Sequence, residues 1–209
     1  QGHKMTIREL MSHTGGLSYG IFAASPVDTK YVEAGLLDNG DTLEEFTPKL
    51  GQIPLKHQPG TTWEYSVSVD VQGYLVEKLA GQSFGSFLEE RIFDPLRMTD
   101  TDFHVPQEKV SRFAQVYGYD AEGKLEAGEG FPGANFLVDP VFESGGGGLV
   151  STAMDYMRFS QMVLNGGELD GVRILAPLTV DLMHRDQTPK TMNGSVLGAR
   201  GTSFGLDFA

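Results

Sequence analysis

Along the chain, apolar residues recur at helical spacing in short runs, each opened by a small polar residue and closed by glycine or proline. Thr6-Ile7-Arg8-Glu9 has the spacing of a capping box, and Leu10-Met11 begin an apolar face that Gly15-Gly16 stop. The pattern predicts a helix over 29–37 with Tyr31, Val32, Ala34 and Leu36 toward the core, then a turn at Asn39-Gly40-Asp41. Thr42-Leu43-Glu44-Glu45 repeats the capping-box spacing and opens a helix ending near Leu50-Gly51. Ile53-Pro54-Leu55 and Pro59-Gly60 mark extended chain leading through 61–65. Ser66 or Ser68 then caps a helix carrying Val71, Leu75 and Leu79 on one face, with Asp70 in its dipole-favoured first turn and Gly81 at its end.

The second half reads less regularly. Phe84, Phe87, Leu88 and Ile92 repeat at helical spacing up to Pro95, and Val116 to Tyr119 reads as strand before a turn at Asp120 to Gly123. A long loop is expected over 128–140, and Ser144 with the four glycines after it is too glycine-dense for a regular element. Thr152 and Asp155 open a helix carrying Met154, Met157 and Met162, closed by Asn165-Gly166-Gly167. Pro177 suits the first position of a helix with Leu178, Val180, Leu182 and Met183, and 204–209 reads as the start of a strand. No repeat or low-complexity linker divides the chain. A helix-rich body without a paired sheet is not a self-contained α/β fold, so the expectation is the middle of a larger domain.

Composition narrows the function classes. With 209 residues, 40% of them hydrophobic, the chain can bury one good core. A net charge of -12 leaves no basic stripe for a phosphate backbone, which argues against nucleic acid as a partner. No apolar run is long enough to span a membrane. Zero cysteines exclude disulfides, thiolate metal sites and a cysteine nucleophile, and leave the compartment open between cytoplasm and periplasm or exterior. The five histidines are scattered without close pairs, which argues against a zinc enzyme.

Gly16-Leu17-Ser18-Tyr19-Gly20 fits the G-x-S-x-G pattern of a nucleophile elbow, but so do the segments 81–85 and 201–205 in a chain with 27 glycines. An elbow needs a buried strand before the serine and a helix after it. A helix precedes Ser18, the wrong element on the wrong side for a nucleophile. That order also disfavours an α/β-hydrolase with His184 as base.

Three segments in order carry a stronger signal: Thr6 to Leu17, then Pro59-Gly60 followed by Tyr65-Ser66-Val67, then Gly148-Leu149-Val150-Ser151-Thr152. Together they resemble the serine beta-lactamase-related family, nearest to the family VIII carboxylesterases, which are similar to class C beta-lactamases and DD-peptidases. The resemblance implies an α+β fold, a helical domain beside part of an antiparallel-sheet α/β domain, with residues 1–209 as the internal part of one such domain. It implies no cofactor and no metal, a nucleophilic serine and a lysine from an S-x-x-K motif, and Tyr65 as the catalytic tyrosine. Tyr19, Val67, Gly146 and Gly147 would line the substrate site, and Ser18 would be a loop residue in a turn at the edge of the cleft.

None of the eight lysines has a serine three residues before it. The resemblance places S-x-x-K before Gln1 and the third motif beyond Ala209. Lys190-Thr191-Met192 is a poor substitute for K-T-G, and the 209 residues alone are expected to be inactive. The expected substrate is a small-molecule ester or beta-lactam-like compound, with the oligomeric state open. Val67 stands where the lactamase-like motif has asparagine, and Gly145 to Gly148 stand where class C enzymes carry a bulky side chain, leaving room and mobility. Both favour a carboxylesterase. Beta-lactamase or DD-peptidase-like activity, or a non-catalytic binding role on the same fold, are the alternatives.

Overall fold

The structure, a computed structural model, describes residues 2–21, 25–36, 38, 40–128, 135–190, 196 and 202–208. Its body is helical. α1 (Ile7–Met11), α2 (Pro26–Glu33) and α3 (Leu43–Leu50) each start in a complete capping box, from Thr6 to Glu9, Ser25 to Asp28 and Thr42 to Glu45. Two otherwise orphaned donors are satisfied at each start, which lets helices this short hold their ends. α3 buries Leu43, Phe46 and Leu50, one face at the expected spacing.

α4 (Ser68–Ala80) packs against both α1 and α3, and Gly81 ends it in the left-handed conformation at φ 72°. α5 (Phe84–Leu88) runs through a π-helical turn at Glu89–Phe93 into α6 (Asp94–Leu96). A 3-10 turn (Gln107–Arg112) leads to the hairpin β1 (Tyr117–Tyr119) and β2 (Leu125–Ala127), antiparallel and exposed. α7 (Ala153–Leu164) is capped by Thr152, whose hydroxyl accepts from the Asp155 N–H. β3 (Glu168–Leu169) and β4 (Val172–Arg173) form a second short antiparallel pair, and α8 (Pro177–His184) begins on its proline as expected.

Two apolar clusters organise these elements. The first gathers Leu10, Leu17, Tyr31, Leu36, Leu43, Phe46, Leu50, Val67 and Phe142, drawing on the segments around residues 13–18 and 65–67. The second gathers Phe93, Leu96, Met98, Met162, Val163 and Val180. Burying each such side chain contributes about 1.5–3 kcal/mol.

Several expectations are corrected. α2 starts at Pro26 rather than 29, because Pro26 presets a helical φ and Ser25 with Asp28 supplies the box; Val32 is then 65% exposed, and Leu37 and Asn39 lie outside the described residues. α4 has Val67 at its N-cap position with no side-chain cap, and Leu79 is 84% exposed. Pro95 lies inside the final helical turn, which Arg97 closes at φ 55°. Met154 and Met157 face solvent while Met162 is buried. Residues 204–208 form no strand, since the chain turns at Asp207 with φ 56°. The long loop is described only in part, 129–134 lying outside the described residues.

Candidate active site

The segment following α1 and the segment before α4 are laced together. The backbone N–H groups of Lys56, Gly60, Glu64 and Val67 donate to the carbonyls of Gly16, Thr14, His13 and Ser18 at 2.8, 2.8, 2.9 and 3.2 Å. Gly16 sits at φ +87°, and a Cβ there would lie 2.1 Å from the His57 carbonyl oxygen, so this crossing requires glycine. One further bond comes from a side chain: the Ser66 N–H donates to His13 Nδ1 at 3.2 Å. Tyr65 therefore sits between anchored neighbours on both sides.

Tyr65 is 37% exposed, and its ring stacks on Tyr19 with centroids 5.4 Å apart and 12° between planes. On another side lies the His13 ring, at 4.9 Å. The glycine loop closes in behind Tyr19. A Cβ on Gly146 would stand 2.9 Å from the Tyr19 hydroxyl and 3.2 Å from Asp70 Oδ2. Asp70, buried in the first turn of α4, accepts from the Ser144 hydroxyl at 2.6 Å and from the Gly146 N–H at 3.1 Å, and so ties the loop to the helix.

The electrostatics keep both phenols protonated. Burial first, then the carboxylates of Asp70 and Asp207, hold the Tyr65 phenol above its ordinary range. Tyr19 is raised by burial, Asp70 and Tyr65. Asp70 is itself raised by burial, partly offset by its hydrogen bonds from Ser144 and Gly146. A phenol in this setting donates its proton unless a cation is brought beside it.

The residues singled out in the sequence divide into two groups. Tyr65, Tyr19 and Gly146 come together, with Gly147 next in the loop, exposed and with open space around its missing Cβ. Val67 does not join them: it has no exposed surface and packs in the first apolar cluster, since the helix start turns its side chain into the core. Nor do the glycines simply leave room. Cβ atoms on Gly145 and Gly148 would meet the Val69 and Ser144 carbonyl oxygens at 2.4 and 2.7 Å, so these two serve close backbone packing. Ser18 is buried rather than at an open edge, its hydroxyl donating to Asp28 Oδ1 and its N–H to the Tyr31 hydroxyl. Of Lys190-Thr191-Met192, the last two lie outside the described residues.

Sequence reading missed a line of three side chains beside Tyr65. His13 Nδ1 stands 3.1 Å from the Ser66 hydroxyl, and His13 Nε2 stands 3.7 Å from Asp207 Oδ1. The order evokes a serine–histidine–aspartate triad, but Ser66 is buried and shares its hydroxyl with Ser68 at 2.7 Å, and Nδ1 already accepts a backbone N–H. His13 could have been suspected from its place in the first motif. Nothing in the sequence around Asp207 signals its position.

A family model described as Beta-lactamase matches residues 1–208. The chain belongs to the beta-lactamase family. This beta-lactamase-family chain is 36% identical over 207 residues to Protein Rv1367c of Mycobacterium tuberculosis, covering 97% of the chain and 50% of that protein. It is 29% identical over 221 residues to Esterase EstB of Burkholderia gladioli, covering 98% of the chain and 53% of the esterase. The chain thus spans about half the length of these curated relatives. Among solved structures, EstCE1, described as a hydrolase with promiscuous acyltransferase activity, superposes with a TM-score of 0.73 at 26% identity, covering 97% of this chain and 55% of that one. The fold is that of the beta-lactamases and penicillin-binding proteins, mixed helix and sheet, and members of this kind are serine hydrolases or acyltransferases.

Proposed function

We propose that residues 1–209 form the internal part of one serine carboxylesterase domain that works through an acyl-enzyme, with Tyr65 as its proton carrier. The serine and lysine of S-x-x-K would come from a segment outside these residues. The observation that carries the reading is the Tyr65 phenol, the exposed member of a buried cluster, anchored on both sides and stacked on Tyr19 beside the glycine loop.

In the proposed reaction the serine oxygen attacks the ester carbonyl carbon and passes its proton into the Tyr65–lysine pair. The bond to the alcohol breaks, and the departing oxygen takes a proton from the Tyr65 hydroxyl. Water then attacks the acyl-enzyme carbonyl carbon and passes a proton into the same pair; the bond from that carbon to the serine oxygen breaks, the serine oxygen takes the proton, and the carboxylic acid leaves. The two carboxylates that raise Tyr65 favour its role as donor, while the lysine's charge would lower it for the opposite step. Tyr19, Gly146 and Gly147 would flank the acyl group, with Val67 acting through packing alone.

Ester hydrolysis is preferred because EstB is described as an esterase. Acyl transfer to an alcohol in place of water is the second reading, favoured by the likeness to EstCE1. The test is mass spectrometry of the full gene product quenched during turnover of a short p-nitrophenyl ester, with and without an added alcohol and with a cephalosporin alongside. An acyl adduct on the serine of an S-x-x-K motif is expected. No adduct, or an adduct on Ser18, would contradict the proposal.

A further inference from the structure

We infer that His13 is a positioning residue for Tyr65, acting through an unprotonated Nδ1 that holds the Ser66 backbone N–H; the inference rests on Tyr65 being the proton carrier proposed above. Within the four residues 64–67, three backbone N–H groups are held by the His13–Ser18 segment. Glu64 donates to the His13 carbonyl at 2.9 Å, Ser66 to His13 Nδ1 at 3.2 Å, and Val67 to the Ser18 carbonyl at 3.2 Å. His13 supplies two of the three acceptors, one on either side of Tyr65. The same imidazole lies against the Tyr65 ring at 4.9 Å, so it fixes both the backbone and the face of the phenol.

The surroundings of His13 are costly for a residue with no further task. Its backbone is left-handed at φ 53°, a region that few non-glycine residues occupy, histidine among the more tolerant. The ring is buried and boxed by Trp63, Tyr65 and Phe204.

The bond from Ser66 also fixes the tautomer. Because Nδ1 accepts a backbone N–H, the ring proton belongs on Nε2, which faces Asp207 Oδ1. Among the described residues, the titratable groups facing the ring are Asp207 and the Tyr65 phenol. Burial lowers His13 to about 4, so the acceptor persists through the neutral range. A proton placed on Nδ1 would set it against the Ser66 N–H and release the anchor.

The test uses the full gene product with labelled histidine and tyrosine, and three variants. Long-range proton–nitrogen spectra should show a bare Nδ1 and a protonated Nε2 on His13. His13→Asn keeps an acceptor near the Nδ1 position and suits the left-handed backbone; it should leave the Tyr65 ring-carbon resonance in place and kcat within about tenfold. His13→Gln moves its amide outward and His13→Leu removes the acceptor. Both should shift the Tyr65 resonance but not that of Tyr19, and lower kcat roughly 10²-fold with KM little changed, the scale expected for a misplacement of about 1 Å. If His13→Leu fails to fold, the tautomer and His13→Gln still decide. A protonated Nδ1, or three variants alike in the Tyr65 resonance and kcat, would overturn the inference. If the variants move the Tyr65 resonance while Tyr65→Phe stays fully active, the failure lies in the proposed function instead.

Discussion

The Ser18 hydroxyl donates to Asp28 Oδ1 at 2.5 Å, and both side chains are buried. Asp28 also receives the Ser25 hydroxyl at 2.7 Å and lies 3.2 Å from Lys56 Nζ. Burial alone would raise this carboxylate; the three partners outweigh it and hold Asp28 well below the usual range. Ser18 is therefore a structural donor. Ser18→Ala should leave ester hydrolysis by the full gene product within a few-fold and cost about 1–3 kcal/mol in urea melts, the loss of a hydrogen bond to a charge. A thousandfold loss of activity with unchanged stability would reverse the assignment. Because the folded value is depressed, Asp28 stabilises above its unfolded pKa, about 3.9, and that contribution fades as pH falls through the folded value. The penalty of Asp28→Asn should therefore shrink on acidification below about pH 4.

Asp207 gives the opposite sign. Its Oδ1 is buried without a hydrogen-bond partner among the described residues, and burial raises the carboxyl to about 6, with Gln72 lowering it in part. The protonated form is favoured, so its stabilising contribution is full below the unfolded value and lost as pH rises through about 6. Asp207→Asn should raise stability at pH 7.5 by roughly 1–2 kcal/mol, allowing for solvent reaching part of the side chain, and have little effect at pH 4. His13, lowered to about 4 by burial, adds stability above its unfolded pKa that is lost toward pH 4. The two slopes oppose between these values. Urea melts of Asp207→Asn should therefore reveal a rise in stability with pH that the parent masks, and a flat profile in the variant would count against both assignments.

The glycine loop separates close packing from open space. Gly146→Ala drives its methyl toward the Tyr19 hydroxyl and Asp70, whereas Gly147→Ala meets nothing within 4 Å. Gly147→Ala should keep the parent melting temperature and hydrolysis of acetate esters, and lose activity first on long acyl chains. Gly146→Ala should lower kcat/KM on every ester. Equal behaviour of the two variants across an acyl-chain series would remove Tyr19 and this loop from the site.

Val67→Asn tests whether specificity is read at that position directly. With Val67 fully buried, an asparagine amide would enter an apolar cluster without partners, at a cost of about 1–3 kcal/mol or more. A lower melting temperature is expected, with no gain in cephalosporin hydrolysis. A stable variant that gains lactam activity would restore a direct role for position 67.

Local signals were the readable ones. Thr6, Thr42 and Thr152 announced their helices because a cap is written within four residues, and Pro177 and Gly81 marked a start and a stop for reasons of backbone geometry. The motif segments put Tyr65 and Tyr19 in one candidate site, and the structure brings the two rings together in a stack that no short-range pattern encodes. What escaped depends on distant segments meeting. Val67 looked like a site residue because the motif places it two residues from Tyr65, yet the turn into α4 sends it into the core. Asp207 reaches His13 across the whole chain through the bond from its N–H to the Met11 carbonyl, and no short-range pattern encodes that approach.

The most direct measurement compares Tyr65→Phe with Tyr19→Phe in the full gene product, recording kcat, KM and melting temperature on one short ester. Tyr65→Phe keeps the ring and its contacts with Tyr19 and His13 and removes only the proton carrier. General acid–base participation is worth on the order of 10²–10⁴-fold. The account predicts a fall in kcat of that size for Tyr65→Phe, with KM and melting temperature close to the parent's, and a much smaller fall for Tyr19→Phe. Equal losses in the two variants, or a Tyr65→Phe protein that unfolds or stays fully active, would contradict it.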